Sequence, residues 1–128
     1  MFEYKLTLNS KQAESALKAV ELLMRLKLGQ FNELPFALIV GDAKFCEKRD
    51  EAAPFLHQIE NIYFGDRTPD DRDWKDEEWY RLYNLYQVIR YARHKAEYPD
   101  SKGVDSYPPM KFTDEPLPEC EWRAIDNE

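Results

Sequence analysis

A mostly helical α+β domain is the fold class this sequence predicts, and three observations point to it. Two long stretches repeat apolar residues at three-to-four spacing, the signature of a helix with one buried stripe. Residues 2–8 alternate instead, with Phe2, Tyr4, Leu6 and Leu8 on one face and Glu3, Lys5 and Thr7 on the other, the period of a half-buried strand. The C-terminal stretch is interrupted by prolines, which remove backbone donors and forbid a continuous helix. The expected architecture is two long amphipathic helices plus shorter ones, with a small N-terminal strand that the C-terminal tail pairs with.

The first long helix is expected over Lys11–Leu28. Asn9 or Ser10 supplies a short side-chain oxygen for its free N–H groups, and Gly29 follows where a left-handed C-cap residue belongs. Its stripe is Ala13, Ala16, Leu17, Val20 and Leu23 or Met24. The segment 35–40, "PFALIV", reads as a short helix opened by Pro35 and ending near Val40, or as a buried strand ending at Gly41-Asp42; the helix is preferred. A further helix spans Asp50 to about Phe64, with Pro54 near its first turn and Gly65 as its stop.

The loop "DRTPDDRDWKDEE" delivers the chain to the second long helix, expected from Trp74 to Glu97 with Asp73 as N-cap and Pro99 beyond its end. Asp76, Glu77 and Glu78 suit the positive end of its dipole. Trp79, Leu82, Tyr83, Leu85, Tyr86, Ile89 and Ala92 or Arg93 form its stripe, of which Leu82, Leu85, Tyr86 and Ile89 are expected to hold the fold. In the tail, "MKF" is a candidate edge strand beside residues 3–8. Residues 1–112 then make one compact domain and 113–128 an extended, proline-rich tail.

Composition bounds what such a domain does. At 128 residues, 43% of them hydrophobic, the chain has enough apolar material for one core. The net charge of −7, with its acid excess strongest after Asp66, argues against a surface that grips phosphates, so direct nucleic-acid binding is not expected. Two cysteines, Cys46 and Cys120, are too few for a disulfide framework, and their surroundings lack zinc-ligand spacing. The opening "MFEYKLTL" lacks the basic and long apolar regions of a signal peptide, and no run approaches a membrane span. A cytoplasmic protein with reduced thiols and no membrane partner is expected.

Catalytic constellations are missing from the pattern. His57 and His94 belong to different helices, and "KFCEKRD" around Cys46 marks no strained turn that would make Cys46 and His57 a thiol pair. The carboxylates of "DDRDWKDEEW" lack the spacing and turn glycine of a calcium loop, and four glycines in the chain form no phosphate-cradling loop. No catalytic residue, metal or cofactor is expected. What stands out is a polar strip on the second long helix, Asn84, Gln87, Arg90 and His94 at three-to-four spacing, flanking its apolar stripe. If the two long helices pack together, Arg25 and Gln30 meet Gln87 and Arg90 in a polar pocket whose directional donors suit anions and nucleobase edges. Internal pairing of these groups is the plainer reading. Tyr80, Tyr91 and Tyr98, which a single stripe cannot all bury, are expected to be partly exposed interface aromatics.

Three segments taken in order, "ALKAVELLMRLKLGQFNEL", "LYNLYQVIRYARHKAEY" and "YPPMKFTDEPLPE", resemble a family of small, uncharacterised proteins of tailed bacteriophages and prophages. The shared features are Arg-x-x-x-Gly-Gln-Phe at the end of the first helix, Asn-x-x-Gln-Val-Ile-Arg in the second, and the Glu-Pro-Leu-Pro tail. Pro35 and "PFALIV" depart from that pattern. The resemblance implies a phage origin and the cytoplasm of an infected bacterium, and brings no catalytic mechanism. The leading expectation is a non-enzymatic phage accessory protein that binds a bacterial host protein, as an inhibitor of a defence or metabolic system. The alternatives are a small-ligand or nucleotide binder using Arg25, Gln30, Gln87 and Arg90, and a structural homo-oligomer.

Overall fold

The computed structural model describes residues 2–34, 45–65 and 75–125. Among the described residues there are three α-helices, α1 (Ser10–Lys27), α2 (Phe45–Phe64) and α3 (Glu77–Glu97), with short 3₁₀ turns at Phe31–Glu33 and Val104–Ser106. The short helix or strand expected over 35–40 lies outside the described residues.

Local chemistry sets the ends of α1. Asn9 accepts a hydrogen bond from the Gln12 N–H at 2.8 Å while the Gln12 side chain accepts one from the Asn9 N–H at 3.0 Å, a reciprocal capping box. At the other end Gly29, at φ +79°, lets its own N–H reach the Leu26 carbonyl and the Gln30 N–H reach Arg25. That pairing closes the helix as a Schellman motif. Of the two candidates Leu23 and Met24, it is Met24 that is buried, while Leu23 stays open to solvent.

α3 packs along α1, and the end of one meets the start of the other. Asp76, not Asp73, is the N-cap: its carboxylate accepts the Trp79 N–H at 2.8 Å, and Lys27 at the end of α1 clamps it at 3.0 Å. The helix accordingly begins at Glu77 rather than Trp74, because a cap already held by a cation from the neighbouring helix defines the first free N–H. Trp79 donates its indole N–H to the Met24 carbonyl at 3.2 Å, lies stacked on Tyr83 at 5.3 Å, and has the Lys75 ammonium 5.0 Å from its ring centroid.

α2 starts at Phe45, five residues before the expected Asp50, so Pro54 sits inside it rather than in its first turn. The missing proline N–H costs one bond to the carbonyl four residues back, and the surrounding residues are exposed enough for water to take that carbonyl. Gly65, at φ +62°, stops the helix as expected. α2 packs mainly against the turn Phe31–Glu33, where Phe31 meets the rings of Tyr63 and Phe64 at 6.4 and 6.0 Å.

Two sequence expectations are corrected. Residues 2–8 form no strand, and "MKF" (110–112) adds none: among the described residues there is no sheet. The reason is that the tail finds its hydrogen-bond partners on α3 instead. The burial within α3 is also redistributed. Leu82, Leu85, Tyr86 and Ile89 are only half-buried, while Trp79, Asn84, Gln87, Val88 and Ala92 are the buried positions. α3 lies between α1 on one side and the tail on the other, so the face that looked like the flank of a stripe is a second covered face.

Candidate functional site

Along α3, polar side chains recur every third residue, at Arg81, Asn84, Gln87 and Arg90, about one helical turn apart. Each holds the segment that follows the helix. Gln87 donates to the Met110 carbonyl at 3.0 Å and accepts the Met110 N–H at 3.0 Å, so its amide pairs with that residue as a neighbouring strand's backbone would. Asn84 repeats the device two residues on, accepting the Phe112 N–H at 3.0 Å and donating to the Thr113 hydroxyl at 3.1 Å. Arg81 grips Glu115 through Nε at 2.8 and 3.0 Å and through Nη2 at 2.6 Å. Arg90 lies 3.6 Å from Asp105 with its guanidinium over the Tyr86 ring at 5.2 Å.

The result is a strap running antiparallel to α3, continuous across residues 112 and 113. Its pattern follows from geometry: alternate residues of an extended chain turn their N–H groups the same way, and an amide side chain offers one donor and one acceptor to match. Asn84 is 3% exposed and Gln87 6%, so these two amides are internally satisfied, and neither is open to a ligand. Glu115 is held below the usual carboxylate range by its hydrogen bond from Arg81.

The expected polar pocket of Arg25, Gln30, Gln87 and Arg90 does not assemble. Gln87 and Arg90 face the strap, whereas Arg25 and Gln30 face the groove between α1 and α3. There Glu21 holds Arg25 at 2.9 Å, and Arg25 reaches the Gln30 side-chain oxygen at 3.3 Å. They line an open cleft of about 220 Å³ with Met24, Leu28, Trp79 and Tyr86. His94 belongs to neither group: its ring sits 5.4 Å from that of Tyr98, and its Nε2 is buried without a hydrogen-bond partner.

The three interface aromatics divide as well. Tyr80 stacks on Phe112 at 6.0 Å and Tyr91 meets Trp122 edge-on at 6.4 Å, both half-buried against the tail and so partly exposed, while Tyr98 is more open. Arg81 was the strap contact that the sequence reading passed over. Its signal was present: it stands three residues before Asn84, in the same repeat.

A second feature lies on α2. Phe55, Ile59 and Ile62 follow one another at four and three residues, so they share a face, and all three are exposed, Phe55 at 64% and Ile62 at 78%. Phe31 meets Phe64 on the opposite side of the helix, and also Tyr63, which stands four residues after Ile59 at the edge of this face. Among the described residues no group of three or more metal-ligating side chains occurs, no helix is long and apolar enough to cross a membrane, and Cys120 is a free thiol.

Comparison with protein-family models, with curated proteins and with solved structures finds no match to this chain. The phage resemblance therefore rests on the three sequence segments alone. Among the described residues, fold and site define three helices, a strap along α3 and an exposed apolar face on α2.

Proposed function

We propose that this chain is a non-enzymatic phage accessory protein that acts by binding a bacterial host protein, as an inhibitor of a defence or metabolic system. The observation that carries the reading is the outer face of α2. Phe55, Ile59 and Ile62 have the spacing by which a helix anchors in a partner's apolar groove, and a stripe of that kind left in water has a cost that a partner removes. With a chain charge of −7, the groove that fits is one rimmed by Lys and Arg. The immobilised protein is expected to retain one host protein from bacterial lysate, and Phe55→Asp with Ile62→Asp to release it while helical circular dichroism stays unchanged. Capture that ignores these substitutions, or no capture, would refute the reading.

The cleft between α1 and α3 favours a second reading, a small-ligand or nucleotide binder. Its aromatic walls, Trp79 and Tyr86, suit a planar ring, and Arg25 with Gln30 offers donors at the mouth. A nucleotide panel that raises the melting temperature of the protein but not of Arg25→Ala would support it, since a ligand of the native state stabilises by mass action. No shift at millimolar nucleotide removes it.

A further inference from the structure

Residues 2–8 pose a physical problem. They contain neither helix, turn nor bend, and they pair with nothing: no hydrogen bond or ion pair among the described residues involves them. Phe2, Tyr4 and Leu6 are 81%, 89% and 79% exposed. Three large apolar side chains on alternate positions, beside a run of unpaired backbone donors and acceptors, become, once the segment extends, an open edge of the kind that natural proteins otherwise blunt or cover.

We infer that this segment pairs with the same segment of a second copy, forming a two-fold antiparallel ribbon centred on Tyr4. In that register Tyr4 faces Tyr4, Phe2 faces Leu6 and Leu6 faces Phe2 on one side of the ribbon. On the other side Glu3 faces Lys5 and Lys5 faces Glu3. The segment is complementary to itself in both hydropathy and charge, and directly opposed pairs are what stabilises a sheet.

Neighbouring registers are worse for a stated reason. Shifting the centre to Glu3 sets Glu3 against Glu3, and shifting it to Lys5 sets Lys5 against Lys5. A centre between residues sets Tyr4 against Glu3 or Lys5, because a one-residue slip exchanges the faces. A parallel, in-register pair lays like charge beside like. The ribbon also has a natural limit, since Asn9 is committed to capping α1. A two-stranded ribbon of this length is marginal on its own, so the dimer is expected to form and dissociate with concentration.

Sedimentation of the full chain over a concentration series tests this, with a charge-exchange cycle. Glu3→Lys replaces both Glu–Lys contacts by Lys–Lys, and Lys5→Glu replaces both by Glu–Glu; each is expected to weaken the dimer by about tenfold. The double variant Glu3→Lys with Lys5→Glu restores opposite charges and is expected to recover the wild-type equilibrium. Tyr4→Asp, which opposes two carboxylates at the two-fold axis, is expected to leave monomer. These residues are exposed and make no hydrogen bond or ion pair with the helices, so circular dichroism should stay constant across the set. A monomer at every concentration, a dimer indifferent to the charge pattern, or a double variant no better than the singles would each overturn the inference. Pairing of residues 2–8 only with a foreign protein would overturn it too.

Discussion

Replacing Gln87 by Leu should detach the strap from α3 without unfolding the helices. The substitution keeps the side chain's volume and removes both hydrogen bonds to Met110. An intramolecular hydrogen bond contributes about 1 kcal/mol net, and hydration of the partly exposed Met110 limits the penalty for its freed groups, so the loss should be about 2 kcal/mol. Domains of this size have a total stability of about 5–15 kcal/mol, enough for α1 and α3 to remain folded. Strap opening is a local event, and about 2 kcal/mol corresponds to about thirtyfold faster amide exchange. Hydrogen–deuterium exchange should therefore accelerate by that factor at Met110 and Phe112, and not at Val88 in the helix. The same loosening should expose Trp122, which lies against Tyr91, and shift its fluorescence to the red. Unchanged exchange at Met110 and Phe112 in a folded Gln87→Leu protein would show that the amides do not hold the strap. Equal acceleration at Val88 would show that strap and helices open as one unit.

Four further outcomes follow from the helix ends and the α2 proline. Asp76→Ala should cost about 1 kcal/mol in chemical denaturation through loss of the cap on Trp79. The Asp76 carboxyl is held below its ordinary value by the Trp79 N–H and then by Lys27, so its contribution is present above about pH 4 and is lost as pH falls through the depressed value. Asp76→Asn, which keeps a capping oxygen but no charge, should flatten that acid limb of the stability curve. Lys27 is raised by its hydrogen bond to Asp76, so its part of the pair persists at lower pH and disappears only as pH rises through the lysine range. Pro54→Ala should stabilise α2 by up to about 3 kcal/mol and increase helical circular dichroism; an unchanged signal would mean that the helix already accommodates the ring without loss. Gly65→Ala should cost about 1 kcal/mol at φ +62° through backbone strain alone, since an added Cβ there meets no atom within 4 Å.

Local chemistry was legible in the residues. Asn9 with Gln12, Gly29 and Gly65 end their helices where short-range hydrogen bonding requires it, and Pro99 follows the last turn of α3. The polar strip was legible as a repeat, because Asn84, Gln87 and Arg90 return to one side of a helix whatever packs there. Boundaries depending on a distant residue were not. The Asp76 cap on Trp79 is reinforced by Lys27 reaching it across 49 positions in sequence, and Asp73 and Asp76 read alike as caps until that cation is placed.

The alternation of residues 2–8 suggested a strand that the structure lacks, but short-range patterns in the residues alone pointed to α1, α2 and α3. Each of these follows from interactions between residues a few positions apart. What the polar strip holds is set by packing between distant segments. An exposed Gln and a Gln paired with a backbone are the same letter, and the choice between sheet and strap for "MKF" depended on which partner lay within 3.0 Å. The tail's backbone took the side chains of α3, so residues 2–8 lost the sheet partner their alternation called for. Pairing between segments more than a hundred residues apart is a competition among surfaces, and periodicity in one segment carries no information about the winner.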